Sequence, residues 1–275
     1  MANNKLFDIS WKEEKSVELE NAKDSWANAV FEDLSGDGNT YLNTISRWFE
    51  EFTITSNKQD VDKFNKLQST ITQEHLGAVN ELSWWKFLTC RGFDLKPITT
   101  GNKPSPDFNL NFEGSNIIFE VTTLNLAEDV KCKLDDAQKQ SYYRIITNSI
   151  HGKRNQIEKV HEQKKPFVLV LCNYDNWSGL GTHFYKLIND KEFFSDVSKI
   201  LSERPQSKCS EIEISKGLSA IIYVVRRVRN GISFYEKDSM VIVHNPNAEF
   251  SCLKAIGEIV KSAEAIDKCI VCEKT

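Results

Sequence analysis

Residues 106–123 read PDFNLNFEGSNIIFEVTT. Phe108, Leu110 and Phe112 alternate with Asp107, Asn109 and Asn111, and then Ile117, Phe119 and Val121 alternate with Ile118, Glu120 and Thr122. Alternation with a period of two marks strands that carry one apolar and one more polar face. Gly114-Ser115 lies between the two runs and reads as the turn of a hairpin. The simplest antiparallel register sets Phe112 opposite Ile117, Asn109 opposite Glu120 and Asp107 opposite Thr122. Asp107, Asn109, Glu120 and Thr122 then share a face, with the two acids diagonal neighbours roughly 7–8 Å apart at the backbone. Carboxylates at that spacing converge on one divalent ion, with oxygen–metal distances of about 2.0–2.1 Å for magnesium. A one-residue slip would send one acid to the opposite face, so the pairing follows from strand period.

The flanks supply helices and further strands. Residues 74–91 place Ala78, Leu82, Trp85 and Leu88 or Thr89 along one helical face, with Gly92 as C-terminal cap. Residues 128–164 read as mainly helical with an interruption at Gly152. Pro166 opens FVLVLC, residues 167–172, a short apolar run of the kind a buried strand uses. LSAIIYVVRRV, residues 218–228, reads as another strand, and Asn230-Gly231 is a hairpin signal. Residues 232–235 and 240–244 complete an edge, and 249–272 close as a helix. Residues 1–72 are read as a helical extension before a second domain, 73–275. Within that extension Val17, Leu19, Ala22, Trp26, Val30 and Phe31, and later Tyr41, Leu42, Ile45, Trp48, Phe49 and Phe52, recur at helical spacing. Asp33, Ser35, Asp37 and Gly38 imitate the start of a calcium loop, but its twelfth place is Thr44, so a helix–helix turn is expected there.

The chain of 275 residues is 40% hydrophobic, enough for a packed core. No apolar run nears the roughly 18 residues that span a bilayer. The opening MANNKLFDISWKEE shows no apolar h-region, so neither a membrane nor a secretory route is expected and the compartment reads as cytoplasmic. The seven cysteines are scattered, and only Cys269 and Cys272 form a CxxC, with no second pair to complete a zinc site. A net charge of −4 excludes a uniformly basic coat but leaves local phosphate contacts open, at Lys153, Arg154, Lys159, Lys164 and Lys165 or at Arg226, Arg227 and Arg229. His244, in the turn HNPNA, reads as structural, and His183 sits in a loop from which it could approach a substrate, although a loop histidine is more often idle.

Pro106-Asp107 followed by Glu120-Val121-Thr122 resembles the PD-(D/E)xK motif of restriction endonucleases and many repair and recombination nucleases. The resemblance covers about residues 75–175. It implies an α/β chain of the α+β type with a restriction endonuclease-like core: helix, three-strand meander, helix, strand, in a mixed sheet flanked by helices. It implies a Mg²⁺-dependent endonuclease acting on duplex DNA in restriction or genome defence, with Mn²⁺ as a substitute and homodimers as a common assembly. Asp107, Glu120, the Val121 carbonyl and Glu81 would hold the metal.

The chain departs from that motif where Thr122 replaces lysine. Threonine donates a hydrogen bond but carries no charge. Three readings stay open: the site works with Thr122, a lysine reaches in from elsewhere, or catalysis is lost and the fold binds nucleic acid or a protein partner. Lys153 lies beside the stripe Ile146, Ile150, Ile157 and Val160, and Gln156 projects with it. These two are the leading replacements, ahead of Lys103, Gln138 and Gln140.

Overall fold

A computed structural model describes residues 6–21, 37–98, 105–124, 146–175, 214–229, 232–234 and 240–263. The chain divides into two compact units, one made of residues 1–86 and 227–234, the other of 87–226 and 235–275. The division at residues 86 and 87 falls inside a helix.

The first unit is mainly helical: α1 (Ile9–Asn21), α2 (Asp37–Thr55), α3 (Lys58–Asp62), a 3₁₀ turn at Asn65–Gln68, and α4 (Thr72–Thr89) as far as residue 86. Tyr41, Leu42, Ile45, Trp48 and Phe52 form the buried stripe of α2, and Phe52 meets Phe64 and Trp85 edge-on at 4.8 and 5.0 Å. These aromatic contacts add to area burial. His75 is wholly buried, with one ring nitrogen 2.6 Å from the Leu67 carbonyl and the other 3.1 Å from the Tyr41 hydroxyl. Asp37 opens α2 and Thr44 is buried along it, so the last place of the calcium-like sequence is helical; Asp33 and Ser35 lie outside the described residues.

The second unit is built on strands. Gly92, at φ +83°, ends α4: its N–H donates to Thr89 and that of Phe93 to Leu88, the paired bonds of a Schellman cap. The strands β1 (Asp94–Pro97), β2 (Phe108–Phe112) and β3 (Ser115–Thr123) form an antiparallel meander, and β3 then pairs in parallel with β4 (Phe167–Asp175). Next comes β5 (Leu218–Arg229), which pairs antiparallel with β7 (Met240–His244); its last residues, 227–229, are counted with the first unit and pair there with β6 (Ile232–Phe234). The fold is therefore α+β around a mixed seven-stranded sheet.

One face of that sheet carries the second unit's core. Ile118, Phe167, Leu169, Leu171, Leu218 and Ile221 pack with Ile146 and Ile150 of helical residues 146–152 and with Ile157 and Val160 of α5 (Arg154–Glu162). Gly217 ends α6 (Ile214–Gly217) so close to α5 that a Cβ there would stand 2.6 Å from Ile157 Cγ2. Ser219 Oγ accepts from Phe167 N–H at 3.1 Å and donates to the Phe250 carbonyl at 2.7 Å, just before α7 (Leu253–Ala263). The turn after β7 is structural: Asn245 Nδ2 donates to the Leu218 carbonyl, and Asn245 Oδ1 accepts from Asn247 N–H. No described helix is long and apolar enough to cross a membrane.

The hairpin differs from its expected register. Phe108 pairs with Phe119, Leu110 with Ile117 and Phe112 with Ser115, so the loop is Glu113-Gly114, not Gly114-Ser115. Both loop residues have positive φ, 50° and 80°, as a type I′ turn requires. The strands are displaced by two residues, an even step, and each side chain keeps its face. The stretches 99–104, 125–145, 176–213 and 264–275 lie outside the described residues, and with them Lys103, Gln138, Gln140, His183 and the Cys269–Cys272 pair.

Candidate active site

The β2–β3 register ends at the pair Phe108 and Phe119, and Asp107 stands just before it at a bend, its N–H donating to the Phe119 carbonyl beside Glu120. Glu120 shares its face with Ile118, so it points to the side covered by residues 146–160. Glu120 is 4% exposed and Asp107 8%. A carboxylate buried to that degree needs charged or hydrogen-bonding partners to be tolerated.

Both acids have them. Lys153 Nζ donates to Glu120 Oε1 at 2.5 Å, and Gln156 Nε2 donates to Glu120 Oε2 at 3.2 Å. The same Gln156 nitrogen lies 3.1 Å from the Ser105 carbonyl, which ties α5 to the segment leading into Asp107. Asp107 Oδ2 accepts from Val121 N–H at 2.7 Å. Its backbone is held on both sides, donating to Phe119 and accepting from Ile98.

Local sequence explains how a lysine comes to face inward. The helical run breaks after Gly152, and Lys153 stands at the N-cap of α5 with φ −98° and ψ 6°. An N-cap side chain normally accepts a hydrogen bond from the helix, which lysine cannot do. Its stem instead runs under the break to Glu120, and Gln156 follows from the first turn of α5.

Of the residues singled out in the sequence, the structure brings together Asp107, Glu120, Val121, Lys153 and Gln156. Thr122 follows on β3, half-buried, and its Oγ1 is buried with no hydrogen-bond partner. Glu81 is engaged within the first unit, where it pairs with Lys63 at 3.5 Å. Arg154 pairs with Glu158 at 2.8 Å, while Lys159 and Lys164 are exposed. Two contacts carried no sequence signal, the Ser105 carbonyl on Gln156 and the Val121 N–H on Asp107, because both use backbone atoms.

The donor set suits a small hard cation. Two buried carboxylates meet neighbouring residues of β3, Glu120 by its own place there and Asp107 through the Val121 N–H. The Val121 carbonyl leaves the strand on the same side as its N–H, toward Asp107. Two acids against one ammonium leave net negative charge, and all donors are oxygen. Among the described residues no third Asp, Glu, His or Cys joins the pair. A magnesium ion there would keep several waters, as that ion commonly does. Compared with known protein families, curated proteins and solved structures, the chain matches none.

Proposed function

We propose that this chain is a divalent-metal-dependent nuclease with a restriction endonuclease-like core, in which Lys153 supplies the charge that the PD-(D/E)xK motif ordinarily takes from the position of Thr122. One observation carries this reading: the Lys153 ammonium lies 2.5 Å from Glu120, next in sequence to Val121, whose N–H the Asp107 carboxylate accepts. Support also comes from element order, since a helix, an antiparallel three-strand meander, a helix and a parallel strand follow one another along residues 72–175.

Asp107, Glu120 and the Val121 carbonyl would hold Mg²⁺ or Mn²⁺. The bound ion supplies a water of lowered pKa and stabilises charge on the phosphate oxygens. The protein's own groups do the rest. Gln156 fixes the Glu120 carboxylate, Lys153 offsets charge at the scissile phosphate, and the Thr122 hydroxyl offers a hydrogen bond to the attacking water. Duplex DNA in a defence setting is the proposed substrate, with a homodimer as the assembly that cuts both strands.

Supercoiled plasmid incubated with the protein and Mg²⁺ should be nicked or linearised, whereas Asp107→Asn and Glu120→Gln should leave it intact. Equal cleavage by all three proteins would remove the assigned site. A structured RNA run alongside separates DNA from RNA as substrate. A second reading has its own observation: both Glu120 oxygens already have partners. On that reading the network is structural and the chain is an inactive module that binds nucleic acid or a protein partner. Metal-independent DNA binding without cleavage is its expected result.

A further inference from the structure

We infer, taking the metal-site reading above as given, that the Lys153 ammonium is a resident stand-in for the divalent ion on Glu120, and that metal binding displaces it toward the phosphate. Lys153 and Gln156 hold Glu120 unequally. Gln156 donates to Oε2 and, from the same amide nitrogen, to the Ser105 carbonyl, so its amide is held by two bonds. Lys153 reaches Oε1 on a flexible four-carbon stem whose side chain is 27% exposed, whereas that of Glu120 is 5% exposed. Oε1 is therefore the oxygen whose partner can leave.

A cation bound to Oε1 at about 2 Å repels an ammonium that sits 2.5 Å from the same atom, and the closeness of both charges makes that repulsion large. The ammonium has an open side to move to, which the cation, held by Asp107 and Glu120 together, lacks. The resulting order is ion first, lysine release second, phosphate contact third. In the metal-free protein the same ammonium keeps the buried carboxylate paired, so the site is formed before the metal arrives.

Titration of the full-length protein with Mn²⁺ by calorimetry tests the exchange. Removing a competing charge-assisted hydrogen bond should tighten Mn²⁺ binding by Lys153→Met roughly ten- to hundredfold over wild type. Lys153→Arg keeps the charge and should stay near wild type, while Glu120→Gln should lose binding. Should Lys153→Met fail to fold, wild-type protein gives the second measurement. Brief acylation with acetic anhydride, read by peptide mass spectrometry, should label Lys153 severalfold more when Mn²⁺ is saturating, with exposed Lys159 as reference. Unchanged affinity in folded Lys153→Met, or unchanged Lys153 labelling while Mn²⁺ is bound, overturns the exchange and leaves the metal site standing. No Mn²⁺ binding by wild type and Lys153→Met alike overturns both.

Discussion

Lys153 and Glu120 illustrate why a buried ion pair is weak evidence of stabilisation but strong evidence of dependence. Bringing both groups out of water offsets most of their attraction, yet removing one leaves the other uncompensated. Lys153→Met strands a carboxylate that is 4% exposed, and with Lys153 itself partly open to water it should cost about 2–3 kcal/mol. Glu120→Gln keeps an acceptor for the ammonium and should cost less, about 1–2 kcal/mol. The double variant should lie closer to wild type than the two losses added together, because the stranded charge is gone. Urea unfolding of the four proteins measures this coupling. Strict additivity would mean that Lys153 and Glu120 do not meet in solution.

At the scale of elements, α5 is set by what lies under and beside it. Ile157 is wholly buried one turn after Lys153, and Gly217 closes against its Cγ2. A methyl at 217 has nowhere to go without pushing α5, so Gly217→Ala should cost about 1–3 kcal/mol. Combining it with Ile157→Leu, which has no Cγ2 and nearly the same volume, should recover part of that loss in a thermal melt. The stripe of Ile146, Ile150, Ile157 and Val160 made this helix legible in the sequence, and with it the inward bias of Lys153 and Gln156. The hairpin was legible to the same depth. Strand period assigns the faces within β2 and β3, and the bend at Asp107 lies before the paired stretch, but the register depends on which residues take positive φ. Glu113 seldom does so, and the turn therefore read as Gly114-Ser115. Glu81 shows the opposite limit. Helical spacing put it on a stripe with Trp85, but which partner a surface acid takes depends on packing, and here it pairs with Lys63.

Across the whole molecule, burial in the second unit shifts His244 and Cys252 among the described residues, and their titration links stability to pH. Burial pushes His244 below its ordinary value of 6.5, so the unfolded chain takes up that proton first. Its contribution is fully present above pH 6.5 and is lost as pH falls below it toward the depressed folded value. Burial pushes the Cys252 thiol up from 9.0 to about 12, and the unfolded chain releases that proton first. This contribution is present below pH 9 and is lost as pH rises from 9 toward 12. Stability measured by urea unfolding should thus fall on both sides of a plateau, with His244→Gln flattening the acid limb and Cys252→Val the alkaline one. Five of the six tryptophans, Trp11, Trp26, Trp48, Trp84 and Trp85, belong to residues 1–86, whereas His244 and Cys252 belong to the second unit. Tryptophan fluorescence therefore watches one unit while these two groups titrate in the other. Because α4 and β5 each run as single elements from one unit into the next, neither unit can unfold without breaking an element of its neighbour. The fluorescence midpoint should move with pH in step with far-ultraviolet circular dichroism. A fluorescence midpoint that ignores pH while the dichroism shifts would show two independently unfolding units.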